Sequence, residues 1–329
     1  MDTIYIETGV REHPRCVAIL DRYPKATRIE CDRYTEVFNP RAQNFRLQKK
    51  RPALILAEKH GRSVSPAPPG YSIGNDRNYY FSHMLNCLYD CRYCFLQGMY
   101  QSANYVYFVN YESFEGGIDE VLDHEKERPV SFFSGYDCDS LALESLTGFS
   151  KHFIPFFNDR PDAELELRTK SVGASLLEKS EPSPNIVVAY TLTPDAIARE
   201  TEHGAPSFAK RLNRVQSLSQ QGWFIGLRLD PLIPWPGFAD LYSRMLDEIF
   251  SRVPVEMIHS VTLGPMRFPP KMYHRIVKLY PNDPLFASAR LELTDHGVSF
   301  PPEVEQSMIQ VVLERLKKEV PDERIFRQT

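Results

Sequence analysis

A chain of 329 residues can bury a full core, and α/β barrels of this size run as one domain. Its 39 lysines and arginines stand against 43 aspartates and glutamates, and a formal charge of −4 offers no global steering toward a polyanion. No apolar run is long enough to span a membrane, so no membrane partner is expected. The opening Met1-Asp-Thr-Ile-Tyr-Ile-Glu has neither the basic nor the apolar region of a secretory signal.

Residues 1–77 read as an N-terminal extension packed on the remainder of the chain. Within it Tyr5 to Glu7 and Ala53 to Leu56 are strand-like, and the Ser- and Pro-rich stretch from Ser63 to Gly70 reads as a linker. Between Lys25 and Arg62 ten basic residues face four acidic ones, the run Lys49-Lys50-Arg51 among them. That excess is either a phosphate-facing patch or an ordinary solvated surface.

From residue 78 to 329 strand-like and helix-like segments alternate, the pattern of a parallel α/β fold. Asn78-Tyr-Tyr-Phe-Ser comes first. The later β-rich runs begin at Val130, Glu164, Ile186, Trp223 and Ser260. Amphipathic stretches lie between them: Leu141 to Phe156, Ser207 to Gln220 and Phe238 to Phe250. A last helix repeats apolar residues at Val304, Met308, Val311, Val312 and Leu316, a helical period that suits core contacts. About six strand-plus-helix units predict an open, partial TIM-type parallel barrel, in which chemistry gathers at the C-terminal ends of the strands.

The segment after the first barrel strand is Cys87-Leu-Tyr-Asp-Cys91-Arg-Tyr93-Cys94, which holds half of the six cysteines. A [4Fe–4S] cluster normally takes four thiolates. Three from one tight loop leave an iron open to a substrate or cofactor. A closed zinc site in a non-enzymatic binding protein would need a fourth ligand, for which Cys16, Cys31 and His83 are the available residues. A disulfide framework does not suit a chain of this length without a secretory signal. Reduced thiols and an oxygen-sensitive cluster both predict a cytoplasmic protein.

Spacings of three residues and then two, with an aromatic before the last cysteine, resemble the radical S-adenosylmethionine enzymes. Further landmarks resemble the spore photoproduct lyase family in their order along the chain. They are Tyr5-Ile-Glu, Cys94-Phe-Leu-Gln97, Tyr105 to Asn110, Asp139-Ser-Leu-Ala-Leu-Glu-Ser-Leu-Thr147, Thr169-Lys170, Glu202-His-Gly, Arg211-Leu212 and Arg267-Phe268. The resemblance implies that Cys87, Cys91 and Cys94 ligate the cluster and that S-adenosylmethionine chelates the open iron. One electron, from a donor such as flavodoxin or ferredoxin, would then release a 5′-deoxyadenosyl radical that takes a hydrogen atom from the substrate. By position, Tyr93 would lie near the adenine, and Ser134 near the methionine amino group. Asp137 and Asp139 would meet the ammonium charge, although Asp139 equally suits an N-cap near Ser140. Lys170 would approach the carboxylate, and Thr191 the ribose. Arg267 is the candidate substrate or phosphate contact, with a salt bridge as its alternative.

Two relay positions depart from the family. The family's donor cysteine falls on Tyr136, with Cys138 two residues beyond, and the helper tyrosine is Phe95, which lacks the hydroxyl. The family's basic, aromatic hairpin is replaced by the mixed segment from Ala287 to Gly297. The expected function is therefore radical chemistry on a nucleic acid lesion or modified base, or else on a small molecule or peptide.

Overall fold

A computed structural model describes residues 1–173, 177–287, 290–295 and 297–328. Six parallel strands follow one another in chain order across one curled sheet: Arg77–Phe81, Val130–Phe133, Ala163–Thr169, Ile186–Thr191, Phe224–Leu232 and Ile258–Pro265. Val130–Phe133 and Ile186–Thr191 are nearly continuous apolar runs because both faces are covered there, as in parallel sheets, whereas Arg77–Phe81 begins with Arg and Asn and Ala163–Thr169 alternates Glu with Leu. Helices Tyr111–His124, Phe149–Asn158, Phe208–Gln220 and Phe238–Arg252 make the return crossings.

Two strands lie beyond the expected six. Ile325–Arg327 adds a parallel strand beside the sixth, and Val64–Pro66 pairs antiparallel with the first. The second lies inside the stretch read as a linker. Proline is tolerated there because the strand is at the sheet edge, where a missing donor leaves nothing unpaired. Both strands have three residues, too few for an alternating pattern to show.

A second sheet runs in the order Thr27–Cys31, Thr3–Glu7, Leu54–Ala57, Tyr105–Phe108, Met84–Leu85. Its last two strands come from beyond residue 77, so the N-terminal region completes its sheet with backbone from the barrel side. Asn86, at φ +70°, turns the chain out of this sheet into the cysteine loop. Asparagine suits that left-handed conformation, and its side-chain amide donates to the carbonyls of Ser102 (2.8 Å) and Asn104 (2.7 Å).

The amphipathic stretch from Leu141 to Phe156 is not one helix. It breaks at Gly148, where φ is +59°, into Glu144–Thr147 and Phe149–Asn158. The Glu144 carboxylate bridges the break by accepting from the Ser150 amide at 3.0 Å. The final helix, Pro302–Leu316, buries Met308, Val312, Leu313 and Leu316. Among the described residues no helix is long and apolar enough to cross a membrane.

Candidate active site

The cysteine loop is held from several sides. Asp90–Cys91 forms a two-residue antiparallel pairing with Glu202–His203, and the Arg92 amide donates to the Thr201 carbonyl at 2.8 Å. The Arg92 guanidinium pairs with Asp90 (2.7 Å) and Asp283 (3.0 Å) and lies over the Tyr280 ring. These contacts fix the backbone and leave the three sulfurs on the inner side.

Cys87, Cys91 and Cys94 line one cavity of about 370 Å³ at the C-terminal mouth of the barrel. Tyr93, Tyr136, Cys138, Asp139, Lys170, Thr191 and Arg267 line it too. The last six of these are far from the cysteine loop in sequence; the topology gathers them because each follows or ends a barrel strand. All six cysteines are free of disulfides. Burial pushes the Cys87 thiol up to about 12, helped by Asp139 and Cys94, and burial raises Cys91 and Cys94 as well. Protein alone therefore favours the thiols, and only a strongly positive group such as an iron cluster would deprotonate all three.

The donor set fits a cluster better than a closed zinc centre. Among the described residues no three His, Cys, Asp or Glu side chains gather closely enough for a single ion, whereas a cubane takes its thiolates on separate irons. Cys16 and Cys31 are buried in the N-terminal region. His83 is stacked on Phe149, with ring centroids 4.0 Å apart, and does not line the cavity.

Two expected cofactor residues lie outside the cavity lining. Ser134 is fully buried, its hydroxyl donating to the Glu166 carbonyl at 2.8 Å. The neighbouring Gly135 takes its place on the wall. Asp137 turns away to accept from the Tyr100 hydroxyl at 3.3 Å. In the bend that follows the second barrel strand, Tyr136 and Cys138 both face the cavity while Asp137, between them, does not. Burial raises both the Tyr136 hydroxyl and the Cys138 thiol, so both keep their hydrogen near neutral pH. The Tyr136 ring rests on Tyr80 (centroids 4.5 Å) and on Phe95 (5.6 Å).

Asp139 caps a turn rather than a helix. It accepts from the Leu141 amide (3.0 Å), the Thr169 hydroxyl (2.6 Å) and the Lys170 amide (2.7 Å), tying the second barrel loop to the third. The Lys170 ammonium lies 5.4 Å from the centre of the Tyr93 ring. Burial would lower its pKa, but neighbouring negative charge, the Glu202 carboxylate among it, raises it, so the cation is kept. Arg267 lines the cavity and also makes its salt bridge, to Asp230 at 3.4 Å.

Behind Tyr93 lies a buried pair whose residues the sequence marks only as landmarks. Glu202 accepts from the Arg211 guanidinium, from the Tyr93 hydroxyl and from the Thr193 hydroxyl at 3.0 Å. Arg211 also donates to the Thr191 carbonyl at 2.8 Å. One network thus positions the aromatic beside the last cysteine, the end of the fourth strand and the backbone partner of Cys91. Lys49, Arg168 and Asp230 also line the cavity. Nothing in their local sequence marks them, apart from the basic run that contains Lys49.

A three-stranded antiparallel sheet, Arg267–Phe268, Gly297–Ser299 and Glu292–Thr294, stands beside the mouth. It lies where the mixed segment from Ala287 to Gly297 departs from the family; Ser288, Ala289 and His296 lie outside the described residues.

An open parallel barrel with a three-cysteine loop after its first strand defines a radical S-adenosylmethionine enzyme. The sequence model of spore photoproduct lyase matches residues 76–295, well over half of the chain, and the chain belongs to that family. Its cofactors are a [4Fe–4S] cluster and S-adenosylmethionine. Among curated proteins no sequence match is found. A variant of spore photoproduct lyase with bound AdoMet and dinucleoside spore photoproduct superimposes with a TM-score of 0.83 at 16% identity, covering 100% of this chain and 98% of that one. Spore photoproduct lyase complexed with the dinucleoside spore photoproduct gives 0.82 at 15% identity with the same coverage. At such identity the likeness shows the fold.

Proposed function

We propose that this enzyme acts by radical chemistry on a pyrimidine photolesion or modified base in nucleic acid. The observation that carries the reading is the shared cavity in which three cluster-type thiols face Tyr136 and Cys138. Cys87, Cys91 and Cys94 would hold the [4Fe–4S] cluster, and Lys170, Asp139, Thr191 and Tyr93 would seat S-adenosylmethionine on the open iron. When bound and reduced by a flavodoxin- or ferredoxin-type donor in the cytoplasm, the pair supplies a 5′-deoxyadenosyl radical. That the solved spore photoproduct lyases bind the dinucleoside spore photoproduct supports a base lesion as the substrate class. Arg267 would contact it.

This chain's own contribution is the return of hydrogen. Once the substrate has lost a hydrogen atom from one carbon and the resulting radical has cleaved a bond of the lesion, a hydrogen atom passes to the carbon radical so exposed from the Tyr136 hydroxyl or the Cys138 thiol, leaving a phenoxyl or thiyl radical on the protein. Phe95 has no hydrogen to give in this way and serves as packing for Tyr136.

The test is anaerobic reconstitution with iron and sulfide, followed by reduction with S-adenosylmethionine and a dinucleoside photolesion. About four irons per chain and lesion-accelerated release of 5′-deoxyadenosine are expected, and Cys91→Ala should lose both. Release unaffected by any lesion or nucleic acid would move the substrate to a small molecule or peptide. Stoichiometric zinc with no cofactor cleavage would overturn the enzyme reading of the loop. If Tyr136→Phe and Cys138→Ala both leave product formation unchanged, neither side chain returns the hydrogen.

A further inference from the structure

Lys49 belongs to the short helix Phe45–Lys50 of the N-terminal region, yet its side chain reaches into the cysteine loop. Its ammonium donates to the carbonyl of Cys87 at 3.0 Å and to that of Tyr89 at 3.2 Å. It thereby braces both sides of the loop's first turn and lines the same cavity as the three sulfurs. The helix is fixed for this task. The Asn44 side chain caps it by accepting from the Leu47 amide (3.2 Å), and the Gln48 side chain accepts from the Ala103 amide at 3.0 Å. A surface lysine waiting for phosphate would not spend two of its three donors on the carbonyls of the cysteine loop.

Its partners are neutral, so its charge is not cancelled by a bonded carboxylate. The neighbouring basic residues differ in this respect: Arg51 pairs with Asp2 and Arg33 with Glu7. Reduction adds one negative charge to a cluster. A cation held against the backbone of one of its ligands, Cys87, stabilises the reduced state more than the oxidised one, and more strongly in a cavity than in open water.

We propose that Lys49 is a positioning residue that locks the cysteine loop onto the N-terminal helix and, through its fixed charge, raises the reduction potential of the cluster the three cysteines carry. The proposal rests on Cys87, Cys91 and Cys94 holding that cluster. It gives the N-terminal region a part in the chemistry, that of setting how readily the cluster accepts an electron.

The experiment is a redox titration of the full-length, reconstituted enzyme followed by the electron paramagnetic resonance of the reduced cluster. Wild type would be compared with Lys49→Gln, Lys49→Met and Lys49→Arg. Hydrogen exchange across residues 87–94 of the cluster-free proteins would report the lock separately. At fixed poise the neutral variants should show a reduced-to-oxidised ratio about tenfold lower, which is about 59 mV for one electron, and Lys49→Arg should stay near wild type. Lys49→Met should also exchange faster in the loop. Neutral variants that titrate at the wild-type potential would overturn the proposal. It falls too if they take up no cluster while Lys49→Arg does, since Lys49 would then serve assembly only. A wild type that takes up no iron would instead sink the cluster reading itself.

Discussion

His83 follows the first barrel strand by two residues and lies almost fully buried, with its ring parallel to Phe149 within 17°. Its Nδ1 has no hydrogen-bond partner among the described residues. Burial alone pulls its pKa from 6.5 down to about 3. The folded protein therefore holds it neutral, whereas the unfolded chain binds a proton below pH 6.5. Its contribution to stability is complete above 6.5, declines as pH falls from 6.5 towards 3, and changes no further below that. The slope approaches 1.4 kcal/mol per pH unit at most. His83→Phe, which keeps a flat ring against Phe149, should flatten the urea-unfolding free energy across that window; an unchanged slope would show that His83 is not the group responsible. The pair Glu202 and Arg211 presents the opposite case, two buried charges that need each other. Glu202→Gln should cost about 3–5 kcal/mol, because it strands the guanidinium away from water. If the loss comes from the stranded charge, adding Arg211→Leu should recover much of it in the same urea measurement.

Elements meet in this protein through small residues and single cross-links. The four-residue helix Leu96–Met99, which leaves the cysteine loop, crosses helix Pro270–Leu279 at Gly98. A Cβ at Gly98 would run into the Met272 carbonyl oxygen and the Ile276 side chain. The Arg275 guanidinium meanwhile donates to the Gly98 carbonyl at 3.2 Å and pulls the two helices together. Gly98→Ala should push them apart at a cost of about 1–3 kcal/mol and lower the iron retained after reconstitution, measured as unfolding midpoint and iron per chain. A variant that kept both would show that the crossing has slack. This level of structure is where the sequence stops being legible. The six parallel strands are legible as runs rich in aromatic, aliphatic and β-branched residues, and the cysteine loop because its spacing is local. The edge strand Val64–Pro66 is hidden by its length and its proline. Gly148 stood in plain view, but only a left-handed backbone turns it from a weak point of one helix into the boundary between two. The cavity wall is legible at strand ends, as at Lys170, which a family landmark marks, and Thr191, which its place at a strand end marks. It is not legible at Lys49 or Asp230, whose roles come from what other elements place beside them.

At the scale of the whole molecule the question is how a protein of net charge −4 would hold a polyanion. The basic stretch from Lys25 to Arg62 is less available than its count suggests. Lys49 is turned inward, Arg51 and Arg33 are ion-paired, and Arg28 donates to the Leu20 carbonyl at 2.9 Å. Around the cavity mouth Arg267 is paired with Asp230 and Arg168 with Glu166. The small sheet beside the mouth presents Leu293, 73% exposed, between Glu292 and Thr294 rather than a row of cations. The cations at the mouth itself are engaged by carboxylates, so recognition there has to rest on the extruded base inside the cavity more than on the backbone outside it. With about two or three phosphate contacts, log Kobs should fall against log salt with a slope of about −1.8 to −2.7. Fluorescence anisotropy with a lesion-bearing oligonucleotide should then show affinity dropping about ten- to fortyfold between about 50 and 200 mM salt, against roughly a thousandfold or more for a protein that grips six to ten phosphates. The dinucleoside lesion alone should retain most of the lesion selectivity, because the cavity that distinguishes the lesion is the same. A flat salt dependence would remove nucleic acid from the candidate substrates, and a slope near −8 would mean that a phosphate-binding face forms only on contact with the strand.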